Sequence, residues 1–207
     1  MSVDSTRLPR TREYLEALPN GISSFRGCEV KSSVFEPHVR NFSHLAGEPD
    51  LPGPVAELLA GRLSDRPWVP EVWFHVAYLV VRDVGFQDDA TFHRWLFEIN
   101  EEMFDKPLLR NLMRLVSPGL VVMGAAKRWG AFHTGSELVP GAVTSAEGRN
   151  LAVTRLKYPE GLFHRAFLVG LESAFLAALM AARARDPRVE LGAVEAGRAT
   201  YTASWLR

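Results

Sequence analysis

The chain reads as an α+β protein: a helical N-terminal part, then a ββαββ unit forming a four-stranded antiparallel sheet with a long crossover helix. Three observations predict it. SELVPGAVTS and RNLAVTRLKY are short alternating runs around Ala146-Glu147-Gly148, and RVELGAV and ATYTASWL repeat the arrangement around Glu195-Ala196-Gly197-Arg198. Between the two hairpins stands one apolar stretch of helical length, GLFHRAFLVGLESAFLAALMAARAR. Before His133 the hydrophobic residues recur at helical rather than strand spacing.

Each element has a local reason. Thr11 to Leu18 is a short amphipathic helix stopped by Pro19-Asn20-Gly21. Ser33 to Leu45 places Val34, Phe35, Val39, Phe42 and Leu45 near one face, with Pro37 early enough to be tolerated. GEPDLPGP is a loop, and Val55 to Leu63 a helix after Pro54. Pro70 opens a helix carrying Val72, Trp73, Val76, Leu79 and Val80; Asp88 or Asp89 caps the next, with Phe92, Trp95, Leu96, Ile99 and Met103. Pro107 begins LLRNLMRLV, and Ser117-Pro118 supplies a cap and first-turn proline for GLVVMGAAKRWGAF. In the last strand Ala199, Tyr201, Ala203 and Trp205 alternate with Thr200, Thr202 and Ser204, the period of a half-buried strand. Val189, Leu191 and Ala193 alternate likewise, and Leu151 and Val153 oppose Ala152, Thr154, Leu156 and Tyr158. No repeat or low-complexity linker divides the 207 residues, so one domain is expected: 1–132 mainly helical, 133–207 the ββαββ part.

Composition narrows the function. Hydrophobic residues make up 47% and charged residues 23%, as in ordinary globular proteins. Formal net charge is zero, which gives no electrostatic footprint for nucleic acid or an anionic membrane. No apolar run reaches the ~18 residues of a membrane span, and MSVDSTRLPRTREYLEALP lacks the apolar core of a signal peptide, so a cytoplasmic location is expected. The single cysteine, Cys28, excludes an intramolecular disulfide and a cysteine-built zinc site. Arg26 beside it suggests a cation that lowers its pKa, although an unremarkable buried thiol is the preferred reading.

The chain resembles the heme nitric-oxide-binding fold, which shares its plan with 4-vinyl-reductase domains and the small subunits of the vesicle-tethering TRAPP complex. It resembles more closely a paralogous family of uncharacterised myxobacterial proteins. The resemblance rests on Pro70-Glu71-Val72-Trp73, Pro107-Leu108-Leu109-Arg110, the hinge LKYPEGLFHRAFLVGLESAFLAAL and the terminal Tyr201 to Trp205, and covers roughly residues 68–206. Heme-binding members grip the propionates through a Tyr-x-Ser-x-Arg motif before the long helix. Here Tyr158-Pro159-Glu160-Gly161-Leu162 keeps the tyrosine, lacks the serine and arginine, and adds a carboxylate that repels a propionate. His133 stands roughly where a proximal histidine would. No heme or other cofactor is expected.

Nothing in the motifs predicts an enzyme. HExxH, a His-x-x-x-His pair, Gly-x-Ser-x-Gly, a Walker A loop and GxGxxG are all absent, so no catalytic or metal-binding residues are expected. Glu98 and Glu102 lie one helical turn apart and are read as a solvated face. His133 is read first as a helix-end residue, where imidazolium suits the dipole, His75 as a core or boundary histidine, and His164 as a surface or interface residue. The aromatic-rich centre, from Trp68 to Phe132, suits either a core or a pocket. The resulting expectation is a non-enzymatic small-molecule-binding or sensory protein with an apolar pocket between helices and sheet. Its expected ligand-binding residues are Trp73, His75, Trp129, His133 and Tyr158. The alternative is a dimerising scaffold, or a subunit of a larger complex, that binds no small molecule; a large exposed apolar patch would favour it.

Overall fold

A computed structural model describes residues 7–39, 41–63 and 65–207, and its architecture is α+β. In chain order it comprises α1 (Pro9–Ala17), β1 (Glu29–Lys31), α2 (Ser32–Val39), α3 (Gly53–Leu59), β2 (Trp68–Pro70), α4 (Glu71–Gly85), α5 (Asp89–Asp105), α6 (Pro107–Leu115), α7 (Pro118–Phe132), β3 (Glu137–Ala146), β4 (Arg149–Lys157), α8 (Arg165–Ala181), β5 (Arg185–Glu195) and β6 (Arg198–Leu206). None of these helices is long and apolar enough to cross a membrane. Two compact units interleave along the chain. One gathers the described residues through Phe92 with Phe132–Gly135 and Gly161–Phe167; the other gathers His93–Ala131, Ser136–Glu160 and Leu168–Arg207.

In the first unit α4 is the central element. Glu71 opens it beside the N-terminal Pro70, and positions from Val72 to Val81 are almost continuously buried, with α1 and α3 packed on it. β1 and β2 pair antiparallel with Val30 opposite Val69, a ribbon the sequence reading lacks because three-residue strands show no periodicity. The expected Ser33–Leu45 helix is two pieces: α2 ends at Val39, and a 3₁₀ turn spans Ser43–Gly47, while Arg40 within that span lies outside the described residues. Asp88 caps α5 as expected, its Oδ1 accepting from the Thr91 backbone N–H at 2.7 Å.

The four-stranded sheet belongs to the second unit, in the order β3-β4-β6-β5 and antiparallel throughout. Glu147 and Gly148 both take positive φ (49° and 76°) between β3 and β4, as a two-residue type I′ hairpin turn requires. Register shifts between Pro140 and Val143, and twice in β5, bend the outer strands. Ala199, Tyr201, Ala203 and Trp205 all point inward, as their alternation predicts. They meet the buried face of α8, where Phe175 packs edge-on to Tyr201 and Leu179 joins Ala152, Ala203 and Trp205. The Tyr201 hydroxyl donates to the Leu168 carbonyl at 2.8 Å.

α8 is shorter than the predicted helix at both ends. Gly161 takes positive φ, and the His164 ring accepts from the Ala166 N–H at 3.1 Å, so the helix begins only at Arg165. At the other end the Arg183 N–H bonds the Met180 carbonyl (2.8 Å) and the Ala184 N–H the Leu179 carbonyl (3.0 Å). This is a Schellman closure, with Arg183 at φ 59° in the position usually held by glycine.

Candidate functional site

Three features stand out. The first is a buried polar cluster in the first unit. The β1–β2 ribbon sets Glu29 opposite Pro70, and the Glu71 N–H donates to the Cys28 carbonyl at 2.9 Å, which fixes the first turn of α4 against β1. Beyond α7 the chain returns to the same strand: Val30 bridges His133, and the Thr134 N–H donates to the Glu29 carbonyl at 2.8 Å. These backbone contacts bring together side chains 62 residues apart. Glu71 Oε2 lies 3.2 Å from His133 Nδ1, and Oε1 lies 3.3 Å from His75 Nε2, one helical turn along α4.

Glu71 and His75 are fully buried and His133 is 8% exposed, so bulk water supplies almost nothing to the charge. Burial pushes the Glu71 carboxyl up, but the hydrogen bond from His133 and the imidazole of His75 outweigh it and hold the group at about 2. For His75 burial wins, and its pKa lies below the ordinary value despite Glu71. Its ring is wedged edge-on against Phe163 and Phe167, at 4.9 and 4.2 Å between centroids. The Glu71–His75 contact is too poorly aligned for a hydrogen bond, and His75 Nδ1 has no partner. His133 therefore carries the stabilisation of the carboxylate. Tyr14 lies nearby, its hydroxyl bonded to the Leu162 carbonyl at 2.5 Å and its acidity suppressed by burial, then by Glu71 and Cys28.

Cys28 is buried, and burial followed by the Glu71 charge raises its pKa, opposite to the lowering that Arg26 suggested. The thiol sits against the Gly135 carbonyl at 3.6 Å. Gly135 is at φ 72°, and a Cβ there would meet the Gly27 carbonyl oxygen at 2.8 Å, so the chain approaches Cys28 through the only residue that fits. The arrangement supplies one ionised carboxylate, an imidazole donor and an apolar second imidazole, all shut from solvent. Among the described residues no three acidic, histidine or cysteine side chains are grouped to hold a metal.

Of the five expected ligand-binding residues, His75 and His133 meet on Glu71. Rather than serving as a helix-end cap, the His133 ring turns to the carboxylate. Trp73, in the same unit, donates from Nε1 to the Ile22 carbonyl at 3.2 Å. Trp129 and Tyr158 belong to the second unit: Trp129 donates to Ser136 Oγ at 3.0 Å, and half-buried Tyr158 bonds the Gly197 carbonyl through its backbone N–H at 2.9 Å. Sequence reasoning passed over Glu71, although an acid one turn before a histidine in an otherwise apolar helix was a usable signal. Glu98 and Glu102 are exposed, as expected, and His164 is half-buried, where burial lowers its pKa.

The second feature is the outer face of α6 and the start of α7. Leu108, Leu112 and Leu115 are 74%, 51% and 85% exposed, on one stripe of α6, while Met113 is buried on the opposite side. Leu120 and Met123, on α7, are 63% and 52% exposed. The third is an open depression of about 250 Å³ in the second unit. Phe104, Ala177, Met180 and Ala181 line it with Arg110, Arg114, Arg183, Glu101 and Asp105.

No protein-family model, curated protein or solved structure matches the chain.

Proposed function

We propose that this chain is a non-enzymatic assembly protein that pairs with a second copy of itself through the exposed face of α6 and the first turns of α7. The supporting observation is the leucine stripe. A nine-residue helix that buries Met113 and turns three leucines to water loses the hydrophobic stabilisation its composition offers, unless another surface covers them. An apolar stripe of this kind is complementary to itself across a two-fold axis, which fits a second copy of the same chain. Nine residues span only about 14 Å, short of the ~800 Å² per partner of a standard interface, so Leu120 and Met123 belong to the same contact.

Charge-swap mixing tests this reading. Leu112→Glu and Leu112→Lys chains should each sediment as monomers, and an equimolar mixture should recover the dimer. A monomeric parent chain would overturn the reading, as would variants that dimerise as well as the parent.

The small-molecule reading keeps one specific observation in its favour, the arginine-lined depression on the other side of α6.

A further inference from the structure

The geometry points to this depression as a binding site for a small amphipathic organic anion, a carboxylate or similar headgroup on a short apolar body. The site lies within the second unit, between the end of α5, α6 and the last turn of α8. Phe104, Ala177, Met180 and Ala181 give it an apolar lining, which Arg110, Arg114 and Arg183 share. Among the described residues the side chains of these arginines make no ion pair or hydrogen bond, and neither do those of Glu101 and Asp105, which line the same depression. Three arginines lining one hollow without an ion pair to its two carboxylates suit a planar anion, which a guanidinium fork binds through two parallel hydrogen bonds. Three cations against two carboxylates leave one positive charge in excess, the complement of a monoanion. A volume near 250 Å³ lies below the ~300 Å³ at which drug-sized pockets begin, so the apolar body is short.

The backbone supplies an independent argument. Arg183 occupies the left-handed position of a Schellman closure, where glycine is the unstrained residue. A residue with a Cβ is tolerated there at a cost in stability, and the arginine so placed lines the depression. Glycine would close the helix better but would supply no guanidinium.

That conflict makes the inference testable, since stability and binding should move in opposite directions. The probes are octanoate, with octanol as the uncharged and octylammonium as the charge-reversed analogue, titrated into the full chain and followed by amide NMR. Octanoate should shift resonances around Met180 to Ala184 and in α6, and bind at least about tenfold more tightly than octanol. Arg183→Gly should raise the melting temperature by a few degrees yet weaken octanoate about tenfold or more. Leu112→Glu should leave octanoate binding unchanged, so failure of the dimer reading and failure of this one are distinguishable. Equal affinity for octanoate and octanol would overturn the proposal, showing that only the exposed leucines take up the chain. An Arg183→Gly variant that is stabilised but binds octanoate as the parent does would overturn it too.

Discussion

Replacing Glu71 by glutamine removes the carboxylate from the buried cluster while keeping its shape, and the consequence can be worked from the geometry. The carboxyl is held at about 2 against an ordinary value of 4.5. Each unit of such a difference is worth about 1.4 kcal/mol, giving a ceiling of about 3 kcal/mol for the ionised group in the fold. The poorly aligned His75 contact supplies little of it, so Glu71→Gln should cost about 1–3 kcal/mol near neutral pH. A carboxyl with a depressed folded pKa stabilises fully above its unfolded value and loses that stability as pH falls from 4.5 toward 2. His75 acts in the same direction over a higher window. Its folded pKa is below 6.5, so its neutral burial stabilises fully above 6.5 and is lost progressively as the solution becomes more acidic. Urea unfolding of parent and variant between about pH 7 and about pH 3 reads both. The parent should decline below 6.5 and more steeply below 4.5. The gap between the two proteins should be constant above 6.5, where His75 is neutral in both, and close as the carboxyl protonates below 4.5, while other carboxylates cancel in the difference. A gap that persists unchanged to the acid limit would refute the ionised-carboxylate account.

Two further substitutions probe the packing around the two units. Tyr201→Phe removes the hydroxyl from the Leu168 carbonyl deep under α8 and should lower stability by about 1 kcal/mol, with ring packing against Phe175 retained in the near-ultraviolet dichroism. Gly135→Ala forces a Cβ toward the Gly27 carbonyl and Cys28 Cα at positive φ, where backbone atoms cannot move aside; a loss of about 2 kcal/mol or more is expected. Faster alkylation of Cys28 would show that the same strap had opened.

How much of this was legible in the sequence varies from element to element. The hairpins were, because Ala199 to Trp205 alternate without interruption and Glu147-Gly148 suits a tight turn. α5 and α7 were, because Asp88 and Ser117-Pro118 supply their N-terminal signals at the right offsets. The ends of α8 were not: apolar residues continue past Gly161 and Ala182, and only the His164 cap and the Arg183 closure stop the helix. β1 and β2 are too short to show a period, yet they position the buried cluster. His75 and His133 were visible as isolated histidines, but their meeting point on Glu71 depends on a strand pairing that no local pattern encodes. The α6 sequence announced an amphipathic helix without saying which side faces inward. Met113 and not Leu112 faces the core, and that orientation turns an ordinary helix into the proposed interface.

The measurement that bears most directly on self-assembly is sedimentation velocity of the unmodified chain over a wide concentration range. A species of twice 23.1 kDa, dissociating on dilution and reduced to monomer by Leu112→Glu, is the predicted result. A mass that stays at 23.1 kDa at every concentration would contradict it.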